Sequence, residues 1–485
     1  MSINFDWDPS KRQGIISGDY FDNIREHFSA ENQSAKFNRY RHRWIPARKY
    51  VITPAGRFDP GLYYEIRKFL MGNQYTARFT QTEIFNKNIL PKYNIIRPDY
   101  NCLSLELRDY QKAIVDTSLR IGRGVAVLAT AGGKTLTIAN LIENINKTYK
   151  DKKFKCLVLV PDLGLVNQTH NDFSEYGVSF LHSKCSGKNK LNLNSNVIIA
   201  NMGILQSSKT DLSWVDDIDL LIVDEVHKIR RDNKINKVIS RIKTPHKFGF
   251  TGTMPEDDID QWNIIGKIGP VLYEKNSYQL RSEDYIASVA VQILKMEYIN
   301  EPSASGGSGP SDRYRRELDF LMENKFRNKT ISSLSRKFDN NALIMVDFIK
   351  HGEILYESIK NTCPDKKCYF IRGDVDVEDR EEVKKIMERE SNVIVIAISK
   401  IFSTGINIKN LHYIVFAGGG KAKVKIVQSI GRGLRLHKDK SRLIIIDIAD
   451  QLYYGYRHMT KRISLYSKEK IKYGIKKITE TKTKT

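Results

Sequence analysis

The sequence predicts an α/β protein with two doubly wound parallel-sheet domains in tandem and a small α/β accessory domain at the amino terminus. Two observations lead to this fold class. Short apolar runs alternate with helical patterns in two separate regions of the chain. A glycine turn at 129–135 also joins a predicted strand to a predicted helix, as at the phosphate sites of such folds.

The length of 485 residues is too great for one ordinary core. We expect an accessory domain at 1–102, a first core at 103–275, a second core at 276–450 and a basic helical tail at 451–485. The stretch 302–311 is rich in Gly, Ser and Pro, and it predicts a flexible loop near the start of the second core.

The formal net charge of +23 indicates a polyanionic partner, with nucleic acid first among the candidates. An anionic membrane surface is the alternative. No apolar run reaches the roughly 18 residues of a membrane span, and the amino terminus lacks a basic segment followed by an apolar one. We therefore expect a cytoplasmic protein with no membrane partner.

The five cysteines are odd in number and widely spaced, which favours a reducing compartment over a disulfide framework. Cys363 and Cys368 are close enough to consider a metal site. A second close pair of Cys or His residues is not at hand to complete four ligands, so the sequence disfavours zinc.

The accessory domain has helical patterns at 20–28 and 62–70, and between them cations alternate with aromatic residues over 36–52. A Pro-Ala-Gly-Arg turn at 54–57 predicts a hairpin. Such a surface can neutralise phosphates and stack bases, and its candidate nucleic-acid contacts are Arg39, Arg41, Arg43 and Trp44. The alternative is a solvated basic strand whose aromatic side chains pack inward.

The first candidate site residue of the first core is Gln111. It lies on a predicted helix upstream of the glycine turn, where its side-chain amide could pair with the adenine edge. In the turn, Lys134 is placed to reach the β and γ phosphates, and Thr135 is placed to bind Mg²⁺. Leu128 stands where a strict phosphate loop has its first Gly, so a chance strand-to-helix turn stays open as an alternative. The predicted turn comprises Ala129, Thr130, Ala131, Gly132, Gly133, Lys134 and Thr135.

The apolar run at 220–223 predicts a strand, and Asp224 and Glu225 follow it directly. They therefore lie at the carboxyl end of a strand, where open parallel sheets bind ligands. Asp224 could hold Mg²⁺ through water, while Glu225 could take the proton of a water that attacks the γ phosphate. Acidic pairs also cap helices, which is the structural alternative. The segment 251–253, Thr-Gly-Thr, suits a relay from Glu225 to neighbouring loops.

The second core contains predicted strands at 342–346, 368–371, 393–397, 413–417 and 443–446. Ser403, Thr404 and Gly405 predict a turn with hydroxyl and backbone donors. Arg432 and Arg435 are three residues apart and so share one side of a helix, as arginines that face a transferring phosphoryl group would. Because this core has no phosphate turn, we expect these arginines to complete the site of the first core. The basic tail is either a nucleic-acid contact or a solvated face.

The order of these motifs from about 103 to 450 resembles the superfamily 2 helicases, and most of all the phage branch-migration helicases of the UvsW type. The resemblance implies two RecA-like domains, ATP and Mg²⁺ as cofactors, and a monomer in the host-cell cytoplasm if the chain is of phage origin. It implies catalysis by Lys134, Asp224, Glu225, Gln428, Arg432 and Arg435. It implies that Arg108, Gln111 and Gly405 bind ATP together with the residues of the turn. It also implies nucleic-acid contacts at Pro161, Gln168, Asn201, Ser403 and Thr404.

Three positions depart from the family pattern: Ala131 replaces a usual Gly, Asn201 a usual Thr and Asn407 a usual acidic residue. The implied function is an ATP-dependent helicase or translocase that unwinds or branch-migrates forked and junction DNA. The alternatives are the motor subunit of a restriction system, an RNA helicase, and an ATP-gated nucleic-acid-binding protein.

Overall fold

The computed structural model describes residues 2–32, 46–73, 78–90, 93, 97–149, 153–186, 191–207, 211–302, 310–372, 385–399, 410–418 and 442–481. The chain divides into two compact units. The first comprises Met1–Ala129 and Gly133–Asn276, and the second comprises Thr130–Gly132 and Ser277–Thr485. Among the described residues, no helix combines the length and apolarity that crossing a membrane requires.

The first unit begins with two small sheets and three helices. Their elements are β1 (Ser2–Asp8), β2 (Gln13–Gly18), α1 (Phe21–His27), β3 (Ser29–Glu31), β4 (Arg48–Tyr50), β5 (Arg57–Phe58), α2 (Tyr63–Gly72), β6 (Arg78–Gln81) and α3 (Glu83–Ile89). The four-stranded sheet has the order β5-β2-β1-β6, and β3 pairs with β4 separately. Alternate residues of β1 are buried, because one face of this sheet packs on α2 and α3.

The rest of the first unit is a seven-stranded parallel sheet with the order β13-β7-β12-β11-β8-β10-β9. Its central strands are buried along their whole length, as expected for a parallel sheet covered on both faces. The elements are α4 (Asp109–Ile121), β7 (Gly124–Leu128), α5 (Lys134–Asn146), β8 (Cys156–Val160), α6 (Leu163–Glu175), β9 (His182–Cys185), β10 (Val197–Asn201), α7 (Met202–Leu205), β11 (Leu220–Asp224), α8 (Ile235–Arg241), β12 (Lys247–Thr251), α9 (Asp258–Lys267) and β13 (Val271–Lys275).

The accessory domain packs directly on helix α9 of this sheet. Ile265 of α9 belongs to the same hydrophobic cluster as Phe28 and Leu62, and Trp262 packs against that cluster. Gly61 lies so close that a Cβ there would be 2.0 Å from the carbonyl oxygen of Ile265. The two parts of the first unit are therefore joined by an apolar contact through helix α9.

The second unit contains a second seven-stranded parallel sheet, with the order β16-β17-β15-β18-β19-β14-β20. With the first sheet, it confirms the predicted fold class of two RecA-like α/β domains. Its described elements are α10 (Ser277–Ser282), β14 (Ser288–Glu297), α11 (Pro310–Glu323), α12 (Lys325–Ser335), β15 (Ala342–Val346), α13 (Ile349–Thr362), β16 (Cys368–Ile371), β17 (Ile394–Ile398), β18 (Tyr413–Phe416), β19 (Arg442–Asp450), α14 (Tyr453–Lys468) and β20 (Lys472–Thr479).

Two sequence predictions about local structure are wrong. The tail is not helical throughout, because β20 follows α14 and pairs in parallel with β14 at the edge of the sheet. The turn at 54–57 does not close a hairpin either. β4 pairs with β3 and β5 pairs with β2, so the strands on either side of the turn belong to different sheets.

Candidate functional site

The predicted phosphate turn lies between β7 and α5, and two of its residues have left-handed backbone conformations. Gly133 has φ +78°, and a Cβ there would lie 2.3 Å from Nε2 of Gln111. Ala131 has φ 66°, which is uncommon for a residue with a side chain. Superfamily 2 helicases, which the sequence resembles, usually have Gly at this position, and Gly adopts this backbone conformation without strain.

Gln111 joins the start of α4 to this turn. Its side chain is buried, its Oε1 accepts a hydrogen bond from the Arg108 amide at 2.8 Å, and its Nε2 donates to the Gly133 carbonyl at 3.2 Å. Arg108 also donates from Nη1 to the Tyr110 hydroxyl at 2.9 Å. Both residues therefore lie beside the turn, and these bonds fix the position of Gln111. Adenine recognition by Gln111 stays a prediction.

The predicted phosphate lysine and the acidic pair meet at the carboxyl end of the sheet. Nζ of Lys134 lies 3.3 Å from Oε1 of Glu225, and the two side chains are 11% and 23% exposed. Asp224 is the last residue of β11 and is buried, and its Oδ1 accepts a hydrogen bond from the Glu225 amide at 2.9 Å. Glu225 itself has φ 49°, so the chain turns sharply directly after the strand.

The two carboxylates differ in their electrostatic surroundings. Burial, and then the nearby charge of Glu225, raises the pKa of Asp224. Burial acts in the same direction on Glu225, but the positive charge of Lys134 and a hydrogen bond with His227 outweigh it and lower the pKa of Glu225. Glu225 is thus the member of the pair that is held in its ionised form, as a proton acceptor must be.

No role was predicted for His227, whereas Thr251 belongs to the segment 251–253 that was predicted to relay changes at Glu225; together they connect the acidic pair to the next strand. Nδ1 of His227 lies 3.2 Å from Oε2 of Glu225 and 2.7 Å from Oγ1 of Thr251. Thr251 is fully buried and donates its hydroxyl proton to the Thr253 carbonyl at 2.9 Å. Since that hydroxyl has only one proton, it accepts from His227, which places a proton on Nδ1.

The residues of this site fit a magnesium ion that takes some of its ligands from the protein and the others from the nucleotide and water. In the described part of the chain, no group of three or more His, Cys, Asp or Glu side chains could hold a metal ion. Mg²⁺ at phosphate sites uses only one or two protein ligands besides water and phosphate. Asp224, whose Oδ1 already accepts one backbone bond, and half-buried Thr135 in the first turn of α5 are of that kind.

Three predicted nucleic-acid contacts lie at or beyond the carboxyl ends of β8 and β10. The Asn201 side chain donates to the Pro161 carbonyl at 3.1 Å and accepts from the Gly203 amide at 2.8 Å. Asn201 is buried, whereas Pro161 and Gln168, which lies on α6, are half-buried. The structure thus brings Pro161 and Asn201 together, with Asn201 bracing the two loops.

The other predicted site residues lie outside the described residues. They are Arg39, Arg41, Arg43 and Trp44 of the basic-aromatic segment, and Ser403, Thr404, Gly405, Gln428, Arg432 and Arg435 of the second core, together with the departure at Asn407.

Two family descriptions match the chain in tandem. "Type III restriction enzyme, res subunit" matches residues 104–256, and "Helicase conserved C-terminal domain" matches residues 325–437. Among solved structures, Mss116p bound to ssRNA and AMP-PNP has a TM-score of 0.57 at 15% identity, over 78% of this chain and 75% of that one. At that identity the likeness concerns the fold alone.

Two curated relatives extend the comparison along the chain. The ATP-dependent DNA helicase uvsW of Enterobacteria phage T4 is 27% identical over 94% of this chain and 95% of its own length. The DNA 3'-5' translocase XPB2 of Sulfurisphaera tokodaii is 25% identical over 70% of this chain and 81% of its own. With two tandem RecA-like sheets, a phosphate turn facing an acidic pair, and these two family descriptions matched one after the other, the chain belongs to the superfamily 2 helicases.

Proposed function

We propose that the chain is an ATP-dependent DNA helicase or translocase that unwinds or branch-migrates forked and junction DNA. The observation that carries this proposal is the contact between Lys134, the proposed phosphate-binding lysine, and the carboxylate of Glu225, at one end of the strands of one sheet. ATP hydrolysis needs both groups there, one to hold the phosphates and one to take a proton.

Each residue of the site has a distinct proposed role in hydrolysis. The amides of the turn and Lys134 bind the β and γ phosphates. Because Lys134 forms an ion pair with Glu225, a bound phosphate and Glu225 compete as ion-pair partners of Lys134. Glu225 accepts the proton of the attacking water, and His227 orients the Glu225 carboxylate. Thr135 and Asp224 would hold Mg²⁺, which supplies charge neutralisation on the phosphates when bound. Gln428, Arg432 and Arg435 keep the catalytic roles, and Gly405 the ATP contact, that the family resemblance implies.

The nucleic-acid partner is proposed to be DNA, and forked or branched DNA in particular. The similar proteins uvsW and XPB2 are described as a DNA helicase and a DNA translocase. The net charge of +23 supports a polyanionic partner. Ser403 and Thr404 keep the backbone contacts that the resemblance implies, beside Pro161 and Gln168.

A basic groove where the accessory domain meets the first core also supports this partner. It has a volume of about 520 Å³ and is lined by Arg25, Arg48, Lys49, Tyr50 and Arg231 among others. The guanidinium carbon of Arg25 lies 3.9 Å from the centre of the Tyr50 ring. This combination of cations and an aromatic ring suits phosphate neutralisation and base stacking. Arg39, Arg41, Arg43 and Trp44 keep the nucleic-acid contacts that their composition suggests.

The domain organisation, the oligomeric state and the location of the chain are proposed as follows. The accessory domain, two cores and tail are proposed to divide at residues 102, 275 and 450. The working form is proposed to be a monomer. If the chain is of phage origin, it acts in the host-cell cytoplasm.

The test is ATP hydrolysis in the presence of single-stranded, forked and four-way DNA, beside RNA of matched sequence. We expect forked or four-way DNA to stimulate hydrolysis more than RNA does. Stronger stimulation by RNA would indicate an RNA helicase, cutting of plasmid DNA would indicate the restriction alternative, and binding without hydrolysis would indicate an ATP-gated binding protein.

A further inference from the structure

A second cavity, remote from the phosphate turn, lies where the accessory domain meets the large sheet of the first unit. Its volume is about 440 Å³. Arg123, which directly precedes β7, and Lys247, the first residue of β12, line it at the amino ends of these strands. The phosphate turn follows the carboxyl end of β7. The cavity and the ATP site thus lie at opposite ends of strand β7, whose five residues span about 16 Å.

The cavity carries a large excess of positive charge. Among the described residues that line it, Asp59 is the one carboxylate, and it accepts hydrogen bonds from Lys267 at 2.9 Å and from Gln13 at 3.3 Å. Lys243 at the mouth pairs with Asp216 at 3.3 Å, but this lysine is 53% exposed, so the pair is screened by water. The six cations that line the cavity are Lys11, Arg12, Arg123, Lys243, Lys247 and Lys267.

Backbone carbonyls hold the innermost cations in place. Arg123 is 2% exposed and donates to the carbonyl of Ile268 at 2.8 Å. Lys247 is 9% exposed and donates to the carbonyls of Ile239 at 2.9 Å and Ile242 at 3.0 Å. Carbonyl oxygens orient these cations but supply no negative charge to balance them.

The cations also repel one another in a poorly solvated space. Burial, and then the charges of Arg123 and Lys267, lowers the pKa of Lys247 to about 7. If the cluster served only to join the accessory domain to the sheet, uncharged side chains could make the same carbonyl contacts without this cost. An arrangement that keeps several positive charges together is explained by an anion that occupies it.

We propose that this cavity binds a phosphate group, with Lys11, Arg12 and Lys243 at its mouth and Arg123 and Lys247 at its base. A phosphate carries more than one acceptor oxygen and matches the donor fork of an arginine. Trp7, which also lines the cavity, adds a flat apolar surface on which a base can stack. The phosphate belongs either to a free anion, such as a nucleotide, or to a nucleic-acid chain that reaches this edge of the sheet.

The test measures binding of inorganic pyrophosphate to the full-length chain by calorimetry. All proteins carry Lys134→Ala, which weakens the ATP site. The mouth variant adds Lys11→Glu and Lys243→Glu, which are exposed positions where folding is tolerant. The control adds Lys68→Glu and Lys329→Glu, two exposed lysines outside the cavity, so that the net charge changes equally.

We expect the mouth variant to bind pyrophosphate at least about tenfold more weakly than the control, because each lost contact to a charged group has that order of effect. Equal affinity in the two variants, or no saturable binding in either parent or control, would overturn the proposal. A short single-stranded oligonucleotide serves as the second arm. Competition with pyrophosphate that depends on Lys11 and Lys243 assigns the phosphate to a nucleic-acid chain, and absence of competition assigns it to a free anion.

Discussion

At the scale of single residues, His227 joins the acidic pair to strand β12 through Thr251. Its Nδ1 contacts both Glu225 and the Thr251 hydroxyl. The sequence placed Asp224 and Glu225 at a strand end because an apolar run stops there. It could not place His227 against Thr251, since that contact depends on β11 and β12 being neighbours, which apolar runs do not specify.

The change Thr251→Val removes the hydroxyl but keeps the shape of the side chain. We expect kcat for ATP hydrolysis to fall while KM for ATP changes little, because His227 loses the acceptor that orients it. We also expect a loss of about 1 to 2 kcal/mol in the free energy of unfolding, as for a buried hydrogen-bonding group left unpaired. Thr253→Val is the control, since Thr253 joins this network through its backbone. Equal kinetics in both variants would contradict the assignment.

Lys247 predicts a pH dependence of stability. Its pKa is lowered to about 7 in the folded chain, from 10.5. Between these values the unfolded chain binds a proton that the folded chain does not, so this group makes stability rise as pH rises, by about 1 kcal/mol per pH unit. Urea unfolding at pH 7, 8 and 9 should show a smaller rise for Lys247→Met than for the wild type. Parallel curves would show that Lys247 is not the source.

At the scale of elements, strands with uniform apolar runs were predictable and amphipathic ones were not. β8, β10 and β11 are buried along their length and were found from composition. β14 was missed because half-buried residues such as Gln292 and Lys295 interrupt its apolar pattern. β20 was missed because almost all of its residues are exposed, and its basic composition was interpreted as helical. Backbone pairing with β14, which composition does not reveal, is what makes β20 a strand.

The close approach of Gly61 to helix α9 predicts that a side chain at this position lowers the stability of the protein. Its missing side chain allows a close approach, because a Cβ would lie 2.0 Å from the Ile265 carbonyl oxygen and 2.8 Å from the Cα of Gly269. Both neighbours are backbone atoms that cannot move independently. We expect Gly61→Ala to lower the free energy of unfolding by about 1 to 3 kcal/mol, measured in urea. Gly72→Ala, where nothing lies within 4 Å, is the matched control.

At the scale of the whole molecule, the accessory domain packs against the first RecA-like domain through an apolar cluster. The sequence suggested a separate domain at 1–102, because residues before about 103 carry no nucleotide motif. The shared cluster of Phe28, Leu62 and Ile265 could not be foreseen, since it depends on which face of α9 the accessory domain covers.

This shared cluster predicts the behaviour of fragments. A fragment of residues 1–276 should unfold in one cooperative transition, whereas residues 103–276 alone should bind a hydrophobic dye and unfold at a lower urea concentration. The reason is that removal of the accessory domain exposes Ile265 and Trp262. Equal unfolding midpoints for the two fragments would show that the interface contributes little.

The central claim is that ATP hydrolysis at Lys134 and Glu225 drives strand separation. Its most direct test is unwinding of a forked DNA with ATP by the wild type, Lys134→Ala and Glu225→Gln, together with nucleotide binding by each. We predict unwinding by the wild type only. Glu225→Gln should still bind ATP while hydrolysing it at least about a hundredfold more slowly, because it keeps the phosphate turn and loses the proton acceptor. Lys134→Ala should bind ATP weakly. Unwinding by Glu225→Gln at the wild-type rate would contradict the account.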